Sequence, residues 1–443
     1  MTFKSSLLFA SRLILPRSLK KSSARRSIAG AIICIGISLV PLVVVLSVSD
    51  GMISGMVQRI IGLSTSDLEN FISRRSAFSE SAEKFTAYAK RFENVPGVTG
   101  AFPQIESDGL AAGKSYRTGA RIRAVEPEIF FRNKDFSTLF EISDGDLQAF
   151  VSDKKSAVVG AKMAELLNLK AGSTFRLITT NIGKNGAVSP KVSVFKVAAV
   201  VSSGYQEMDA LWIFIPLETG FSVIPRPAAN FSVMIKTSET FSKNLQEIQS
   251  QCEEASFGNG LFYSWKELNS SQFENFASTK VLLVFIMALI VLVAAVNISS
   301  AIVMLVMERR REIAILKSIG GTSRGIAFSF LAAGIFCGFC GILIGLPVGL
   351  LLSVNANELV YFIERIVNFF SKLIYVFSGG AAENFSSIHL LDPAYYLTTI
   401  PVSIPFRELF LVCVSVLVLS LVVSVVPAVK AGKEKPLDIF RKS

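Results

Sequence analysis

The sequence has one histidine, His389, and five cysteines among its 443 residues. Histidine-centred catalysis and multi-histidine metal sites therefore have almost no residues to build on. Four cysteines fall inside long apolar stretches and Cys252 stands alone outside them, so no disulfide framework is expected. No G-x-x-x-x-G-K-[ST] phosphate loop is present. Any energy that the protein uses must come from another chain or from an ion gradient.

Apolar residues, by contrast, make up 51% of the chain and give it a mean hydropathy of +0.51. Four stretches reach the roughly 20 residues that a membrane-spanning helix needs. They are 28–49, 279–306, 326–353 and 408–429. The first is too long for a signal peptide, and no small-residue cleavage site follows it. The sequence therefore predicts four transmembrane helices, a block at 50–278 and a connector at 354–407.

Basic residues are concentrated beside these stretches. Residues 1–49 carry seven bases and no acid, residues 307–324 five bases against two acids, and residues 408–443 five against three. The 50–278 block is nearly neutral, with 24 bases and 25 acids. Because basic flanks stay on the cytoplasmic side, both termini and the 307–324 loop are predicted inside, and the block and the connector outside. The net charge of +11 belongs to these flanks, so no nucleic-acid partner is expected.

The 50–278 block alternates short β-like runs with helices, which predicts a large α+β domain inserted between transmembrane helices 1 and 2. The predicted strands lie in "VTGAFPQI", "ARIRAVEP", "KSAVVG", "STFRLITT", "SVFKVAAVVSS", "ALWIFIPL" and "FSVMIKT". Helices are predicted at 161–169 and 241–255, a turn at Gly172, and a projecting hairpin tip at 181–190. No carboxylate cluster, Ser/Lys pair or metal-ligand spacing stands out, so the domain is expected to bind or transmit rather than catalyse.

Two segments outside the four stretches have one apolar face. In residues 1–27 apolar side chains recur at helical spacing, which predicts an amphipathic helix at the membrane surface, with a frayed basic anchor as the alternative. Residues 359–377 are rich in apolar and aromatic residues but include Glu364, Arg365 and Lys372. These charges favour an interfacial helix over a fifth span.

Small and polar residues mark two of the predicted spans. The glycines of the third span are Gly334, Gly338, Gly341, Gly345 and Gly349. Their spacing predicts close helix packing, with a hinge or a dimer seam as the alternative. In the second span, Asn297, Ser299 and Ser300 are predicted to form interhelical hydrogen bonds rather than a transport pathway.

Helical patterns continue beyond the outer ends of the first and second spans, which predicts a stalk beneath the external domain. Two interpretations of its large side chains stay open: packing of the stalk alone, or an apolar cavity at the outer leaflet that accepts irregular chains. The candidate cavity residues are Met52, Met56, Ile60, Phe273 and Phe276.

The segment "MERRREIAILKSIGGTSRG", residues 307–325, joins two highly apolar stretches. An orientation anchor would need only its arginines, yet apolar residues follow them at helical spacing and a glycine pair ends the helix. A short charged helix with an apolar face in the cytosol is typical of a protein docking site, and an ATPase is the simplest partner for a chain without a phosphate loop. The candidate contacts are Arg309, Arg310, Arg311, Glu312, Ile313, Ile315, Leu316, Lys317, Ile319 and Gly320.

Residues 297–326, "NISSAIVMLVMERRREIAILKSIGGTSRGI", resemble the second span and coupling helix of the lipoprotein-releasing LolC/LolE permeases, which belong to the MacB/FtsX-type ABC transporter superfamily. The resemblance extends over nearly the whole chain. "RRSIAGAIICIGISLVPLVVVLSVSDGM" is similar to the first span of that family, and "FKVAAVVSSGYQEMDALWIFIPL" to part of its periplasmic domain. The tail "VVPAVKAGKEKPLDIFRKS" is similar to its basic end.

The resemblance implies a multi-pass subunit of the bacterial inner membrane with no catalytic or metal-binding residues and no cofactor of its own. ATP and Mg would be held by a partner ATPase of the LolD kind. A second permease, either a LolC/LolE-like partner or an identical copy, would complete the complex, which in that family lifts acylated lipoproteins from the outer leaflet and passes them to a LolA-like periplasmic carrier. The carrier-recruiting hairpin of the family corresponds in position to 181–190, which makes Lys184, Asn185, Pro190 and Lys191 candidate carrier contacts, although the segment has fewer arginines than the family hairpin.

The expected fold is an α-helical membrane protein with four transmembrane helices and a large periplasmic α+β domain between helices 1 and 2. The expected order is an interfacial helix at 1–27, helix 1 at 28–49, the MacB-like domain with stalk helices at 50–278, helix 2 at 279–306, the coupling loop at 307–325, helix 3 at 326–353, the periplasmic connector at 354–407, helix 4 at 408–429 and a cytoplasmic tail at 430–443.

Two other functions fit part of the pattern. A MacB-like permease would export peptides or toxins by mechanotransmission, but no ATPase domain is fused to this chain. An FtsX-like regulator would activate a cell-wall hydrolase through its external domain, but that domain is generally smaller than the block seen here. The 354–407 connector is longer than expected for the LolC/LolE family.

Overall fold

The computed structural model describes residues 23–182, 188–238, 240–241, 244–377 and 401–433. The helices are α1 Ser23–Arg59, α2 Ala82–Ala89, α3 Ile129–Arg132, α4 Lys134–Leu139, α5 Leu147–Ser152, α6 Ala161–Leu167, α7 Gln206–Asp209, α8 Leu217–Val223, α9 Leu245–Ala255, α10 Trp265–Leu268, α11 Ser270–Glu308, α12 Arg310–Ser318, α13 Ser323–Val354, α14 Ala356–Phe377 and α15 Phe406–Lys433. The strands are β1 Leu68–Ile72, β2 Val98–Ala112, β3 Arg117–Val125, β4 Glu141–Gly145, β5 Ser156–Gly160, β6 Thr174–Ile182, β7 Val188–Ser202, β8 Trp212–Pro216, β9 Asn230–Thr237 and β10 Leu261–Ser264.

The chain divides into two compact units. We call one the membrane unit. Its described part comprises residues 23–52, 276–377 and 401–433. The other, the sheet unit, comprises Ile53–Asn275 in its described part. All ten strands lie in the sheet unit, and the helices α11 to α15 lie largely in the membrane unit.

Four helices among the described residues, α1, α11, α13 and α15, are long and apolar enough to cross a membrane, as the sequence predicts. Each extends beyond its predicted apolar stretch, because a helix continues past the hydrocarbon wherever its backbone hydrogen bonds remain favourable. Pro41 lies inside α1 without ending it. The predicted interfacial helix at 1–27 lies almost entirely outside the described residues.

The glycines of α13 pack against neighbouring helices of the same chain. A Cβ atom at Gly341 would lie 2.5 Å from Cγ2 of Ile35 in α1, and one at Gly338 would lie 2.8 Å from Oγ of Ser420 in α15. No larger side chain fits at such separations, so the small residues allow α1 and α15 to approach α13 closely. Packing within the chain, rather than a seam between subunits, therefore accounts for these glycine positions.

The helix α14 follows α13 after a single residue, Asn355, and covers the segment for which an interfacial helix is predicted. It is 22 residues long, yet it is not among the helices of the described residues that could cross a membrane. The remainder of the connector, residues 378–400, lies outside the described residues.

The sheet unit contains one ten-stranded mixed sheet. Its strand order is β10-β1-β9-β2-β3-β8-β5-β7-β4, and β6 pairs with both β2 and β7. Two pairings are parallel, β3 with β8 and β5 with β7, and the remaining pairings are antiparallel. Helices α2, α6 and α9 contribute Phe85, Met163 and Ile248 to its hydrophobic core.

Seven of these ten strands correspond to the runs predicted from sequence, and β1, β4 and β10 were not predicted. The strands β4 and β10 are the two edges of the sheet and expose most of their side chains, so they lack the apolar content of a buried strand. Inside the sheet, β1 buries Glu69 and Asn70, which a hydrophobic pattern cannot identify. The predicted turn residue Gly172 has a φ of +84°, which favours glycine.

Candidate functional site: the coupling segment and an apolar groove

The segment between α11 and α13 forms one short helix, α12, with sharply defined ends. At its C-terminus the backbone N–H of Gly321 donates to the carbonyl of Leu316 at 2.8 Å, and that of Gly320 to the carbonyl of Lys317 at 3.1 Å. Gly320 has a φ of +95°. This pair of bonds with a left-handed glycine is a Schellman cap, which ends the helix as the glycine pair predicts. The side chain of Thr322 then caps the start of α13.

The two faces of α12 differ in exposure. Ile313 and Ala314 are both buried, and Ile313 belongs to the same apolar cluster as Leu305, Phe330 and Ala428 of the membrane unit. Ile315 and Ile319 are 44% and 79% exposed. Together with the exposed Arg311 and Glu312 they form what we call the coupling ridge, residues Arg311, Glu312, Ile315 and Ile319. The helix is thus held to the membrane unit on one side and presents charged and apolar side chains on the other.

Two polar contacts involve α12, one to another helix and one local. The Nζ of Lys317 donates to the carbonyl oxygen of Gly432, near the C-terminus of α15, at 2.6 Å. Arg309 forms an ion pair with Glu312, three residues along the chain. Of the ten predicted contact residues, Ile313 is therefore buried in the helix packing, Leu316 and Lys317 are half-buried, and Gly320 belongs to the cap.

An apolar groove of about 400 Å³ lies in the membrane unit between α1, α11 and α15. Its volume falls within the roughly 300–1,000 Å³ of small-ligand sites. Side chains without charge line most of it, and only Lys280 and Glu408 are ionisable. The lining residues are Leu42, Leu46, Lys280, Val284, Met287, Ala288, Val291, Leu292, Glu408, Leu411, Val412, Ser415 and Leu419.

Charged side chains gather at one end of this groove. The Nζ of Lys280 lies 3.2 Å from Oδ1 of Asp50 and 3.5 Å from Oε1 of Glu408. These residues come from α11, α1 and α15, so a single ammonium group joins the three helices that form the groove walls. The lysine side chain is 43% exposed. The apolar groove therefore ends in an ion-paired cluster of one ammonium group and two carboxylates.

The predicted outer-leaflet cavity residues do not line this groove. Ile60 is buried in a π-helical turn, Ile60–Thr65, that continues α1. The ring of Phe273 packs at 5.1 Å from that of Trp265. Met52, Met56 and Phe276 are half-buried. Sequence reasoning missed Lys280, Asp50 and Glu408; the available signal was an ionisable residue at the outer edge of three predicted spans.

The base of the sheet unit holds the π-helical turn through a buried arginine. Arg123, on β3, is fully buried and donates to the carbonyl oxygens of Leu63 and Ser64, the latter at 3.2 Å. It pairs with Glu106 at 3.1 Å, and its guanidinium lies 4.9 Å from the ring centre of Trp212. The exit of α1 is therefore bonded directly to the centre of the sheet.

The return segment is bonded to the same turn. The side-chain amide of Asn269 donates to Oγ1 of Thr65 at 3.2 Å, and the backbone N–H of Trp265 to the carbonyl oxygen of Asp67 at 3.1 Å. We call residues 60–67 and 265–269, with Arg123, the stalk junction. The two segments at which the chain enters and leaves the sheet unit are therefore bonded to each other.

A buried carboxyl group lies beside the stalk junction. Burial, and then the charge of Glu106, raise the pKa of Glu69 to about 8, against partial opposition from Ser232, Arg123 and Gln104. The side-chain amide of Gln104 donates to Oε1 of Glu69 at 2.9 Å and its carbonyl accepts from Arg123 at 2.6 Å. Near neutral pH the carboxyl group is therefore largely protonated.

The predicted carrier-recruiting tip is framed by a β-hairpin. Strands β6 and β7 pair from Thr174 with Lys196 to Ile182 with Val188. Pro190 pairs with Thr180, and the Nζ of Lys191 donates to the carbonyl oxygen of Ser222 in α8. Lys184 and Asn185 lie outside the described residues.

No group of three or more metal-binding side chains occurs within the ranges that the structure describes. The five cysteines, all within those ranges, form no disulfide bond.

Two family models together match most of the chain. Residues 28–251 match the MacB-like periplasmic core domain, and residues 284–436 match the FtsX-like permease C-terminal region. The boundary between the matches falls at the return from the sheet unit to the membrane unit.

Individual relatives align over most of their length. The lipoprotein-releasing system transmembrane protein LolC of Neisseria meningitidis is 25% identical over 419 residues, covering 94% of this chain and 93% of the relative. LolE of Haemophilus influenzae is 22% identical over 409 residues, covering 92% of each. Among solved structures, the periplasmic region of MacB from Actinobacillus actinomycetemcomitans has a TM-score of 0.31 and 13% identity, covering 48% of this chain and 94% of that chain.

Proposed function

Because the chain belongs to the MacB/FtsX-type superfamily of ABC transporter permeases, with LolC/LolE relatives along nearly its whole length, we propose that it extracts acylated lipoproteins from the inner membrane. A separate ATPase subunit supplies the energy, and a periplasmic carrier receives the product. The names of the relatives LolC and LolE refer to lipoprotein release, and the proposal extends that activity to this chain.

One observation carries the proposal: a single helix connects the coupling ridge to the groove. Lys280, at the groove end, and Glu308, next to α12, both lie in α11. At about 1.5 Å per residue, the helix separates them by roughly 40 Å, enough to cross the hydrocarbon core. A push on α12 therefore displaces a wall of the groove at the other side of the membrane. The contacts of Ile313, Ala314 and Lys317 make α12 move with the helices rather than independently.

The orientation follows from the basic flanks. With both termini and α12 in the cytoplasm, the ridge faces the compartment that contains ATP. The sheet unit, α14 and the end of the groove marked by Lys280 then lie on the periplasmic side. This is the arrangement that extraction from the outer leaflet requires.

Energetics explain why an apolar groove and an external motor belong together. Removing an acyl chain from a bilayer costs about 0.8 kcal/mol per methylene group, so several chains cost tens of kcal/mol. The groove replaces part of the lost lipid contact, and its ion-paired end lies beside the polar head. ATP binding and hydrolysis on the partner, which holds the nucleotide and Mg, supply the remainder by moving α11.

The proposed complex contains a second permease, either a LolC/LolE-like partner or a copy of this chain. A LolA-like carrier would dock at the hairpin of β6 and β7, with contacts from Lys184, Asn185, Pro190 and Lys191. Lys191 already bonds to α8 at the hairpin base, so it orients the hairpin in addition to any contact it makes.

The test is purification of the chain with its native partners, followed by reconstitution with an acylated lipoprotein. ATP-dependent transfer of the lipoprotein to a soluble carrier is the expected result, and mass spectrometry should identify lipoprotein and lipid in the complex. A co-purifying cell-wall hydrolase without bound lipid would instead indicate FtsX-like regulation. Export of a soluble peptide without lipoprotein transfer would indicate MacB-like mechanotransmission.

A further inference from the structure

In the helix α14 large aromatic side chains are exposed while some polar side chains are partly buried, the opposite of a helix on the surface of a soluble protein. Phe362, Phe369 and Phe370 are 60%, 66% and 57% exposed. The charged Glu364 and the polar Ser371 are only partly exposed, on another side of the same helix. Aromatic side chains turned outward in this way require a covering surface, because exposing them to water forgoes their burial energy.

The exposed apolar side chains of α14 continue those of α13. Leu351 and Val354, in the last turn of α13, are 64% and 60% exposed. Only Asn355 separates the helices, and its backbone carbonyl accepts from Leu359 of α14 at 2.9 Å. The outward side chains of a membrane-spanning helix contact lipid, so α14 begins at the level where the lipid contact of α13 ends.

The charges of α14 exclude a transmembrane orientation and favour one in the plane of the membrane surface. Glu358, Glu364, Arg365 and Lys372 are spread along its length. Crossing the bilayer would place such charges in hydrocarbon, where an unpaired charge is costly. Lying flat, the helix buries its apolar face while the charged groups remain in the headgroup layer.

Two cations lie at one border of the apolar face. Arg365 and Lys372 are seven residues apart, which places them on the same side of a helix. Phe362 and Phe369 lie beside them, three residues before each cation, and long basic side chains next to buried apolar groups reach toward lipid phosphates. Both basic side chains are exposed. Glu358, seven residues before Arg365, shares this side at the start of the helix, so the two cations of its later part are the groups available to anionic headgroups.

We propose that α14 binds the outer leaflet in the membrane plane, through Phe362, Ile366, Phe369, Phe370 and Leu373, with Arg365 and Lys372 contacting anionic lipid headgroups. The helix thereby fixes the outer end of α13 at the leaflet surface. This inference concerns the lipid surface alone and does not depend on which cargo the permease moves.

The test uses the distribution of tryptophan in this chain. The only two tryptophans, Trp212 and Trp265, are 4% and 6% exposed and belong to the sheet unit. The full-length permease carrying Phe370→Trp is placed in nanodiscs of phosphatidylcholine and phosphatidylglycerol, with lipids brominated at shallow or deep chain positions as quenchers. Tyr361→Trp, an exposed position beside the polar face, is the matched control, and the unsubstituted chain gives the baseline.

We expect added quenching for Phe370→Trp, stronger from shallow than from deep bromines, and less for Tyr361→Trp. Removing phosphatidylglycerol, or adding Arg365→Gln and Lys372→Gln, should reduce the quenching. Quenching of Phe370→Trp no greater than the baseline would overturn the proposal. That result would mean that residue 370 faces water or is covered by a second permease subunit. Stronger quenching from deep bromines would overturn the in-plane orientation, and indifference to lipid charge would overturn the headgroup contact.

Discussion

The ammonium group of Lys317 donates a hydrogen bond to the backbone carbonyl oxygen of Gly432 at 2.6 Å, which joins α12 to the last helix of the membrane unit. The acceptor lies near the end of α15, where carbonyl groups carry partial negative charge. A Cβ atom at Gly432 would lie 2.6 Å from the carbonyl oxygen of Ser323, so the start of α13 packs at the same place. α12 is therefore held to α15, whose end in turn packs against the start of α13.

Replacing this lysine should weaken coupling without removing the partner. Lys317→Met keeps the length of the side chain but loses the charged donor, whose hydrogen bond we take as about 1 kcal/mol after allowing for its partial exposure. We expect transport-coupled ATP turnover to fall roughly fivefold while the ATPase still co-purifies. Arg324→Met, a basic residue at the start of α13, is the control and should leave both measurements unchanged. Equal turnover in Lys317→Met and in the parent would remove the proposed role of the contact.

Filling the groove should block cargo transfer without affecting the coupling ridge. Ala288→Trp places a large side chain against the groove wall of α11, and overfilling of this kind costs about 1–3 kcal/mol. We expect lipoprotein release to fall by about tenfold, with ATPase recruitment unchanged. Leu289→Trp, at the adjacent residue, which is exposed and does not line the groove, should retain release. Similar release from the two variants would show that the groove does not accept cargo.

Replacing Arg123 should strongly lower the stability of the sheet unit. Removing one member of a buried charge pair typically costs about 3–5 kcal/mol, so Arg123→Met should lower the free energy of unfolding of the sheet unit by about that amount. Trp212 and Trp265 report on this unit alone, so denaturation of the full-length permease can be followed by tryptophan emission.

Arg121 on the same strand provides the matched control for this measurement. Its side chain is 50% exposed and pairs with Asp108 at 3.6 Å. An exposed pair of this kind contributes about 1 kcal/mol or less. Arg121→Met should therefore change the free energy of unfolding little. Equal losses of stability in Arg121→Met and Arg123→Met would contradict the role proposed for Arg123 at the stalk junction.

The buried carboxyl group of Glu69 should make the sheet unit less stable as pH rises. Burial raises its pKa from the ordinary 4.5 to about 8 in the folded protein, so between these values the unfolded state gives up a proton that the folded state retains. This contribution to stability is fully present below about pH 4.5 and is lost as pH rises toward 8. Glu69→Gln keeps the acceptor and has no proton to lose, so its unfolding midpoint should not show this decline between pH 5 and 8. Parallel pH profiles for the parent and the variant would contradict the raised pKa.

The elements that depend on local sequence could be predicted. The four long apolar helices, the Schellman glycines and the β6–β7 hairpin each have a local signal of length or residue type. The charged end of the groove could not be predicted in the same way, because Lys280, Asp50 and Glu408 lie far apart in sequence and meet only through helix packing. Met52 and Ile60 were plausible candidates by chemistry, but spacing along one helix does not show which side faces a groove.

The same limit applies to the two faces of α12. The sequence predicts an apolar face for docking, yet Ile313 and Ala314 use part of the apolar content to pack against the membrane helices. The residues left for a partner are Ile315 and Ile319, with Arg311 and Glu312 beside them. Helical spacing identifies an amphipathic segment, and only tertiary packing decides which of its residues remain exposed.

Recovery of the ATPase subunit with the Glu312→Arg, Ile315→Asp double variant tests the coupling ridge most directly. Both side chains are exposed on α12, so the variant should insert and fold normally while reversing one charge and burying an unpaired carboxylate at the interface. We predict that the ATPase no longer co-purifies, whereas the Arg324→Glu control retains it. Undiminished recovery of the ATPase with the double variant would contradict the account.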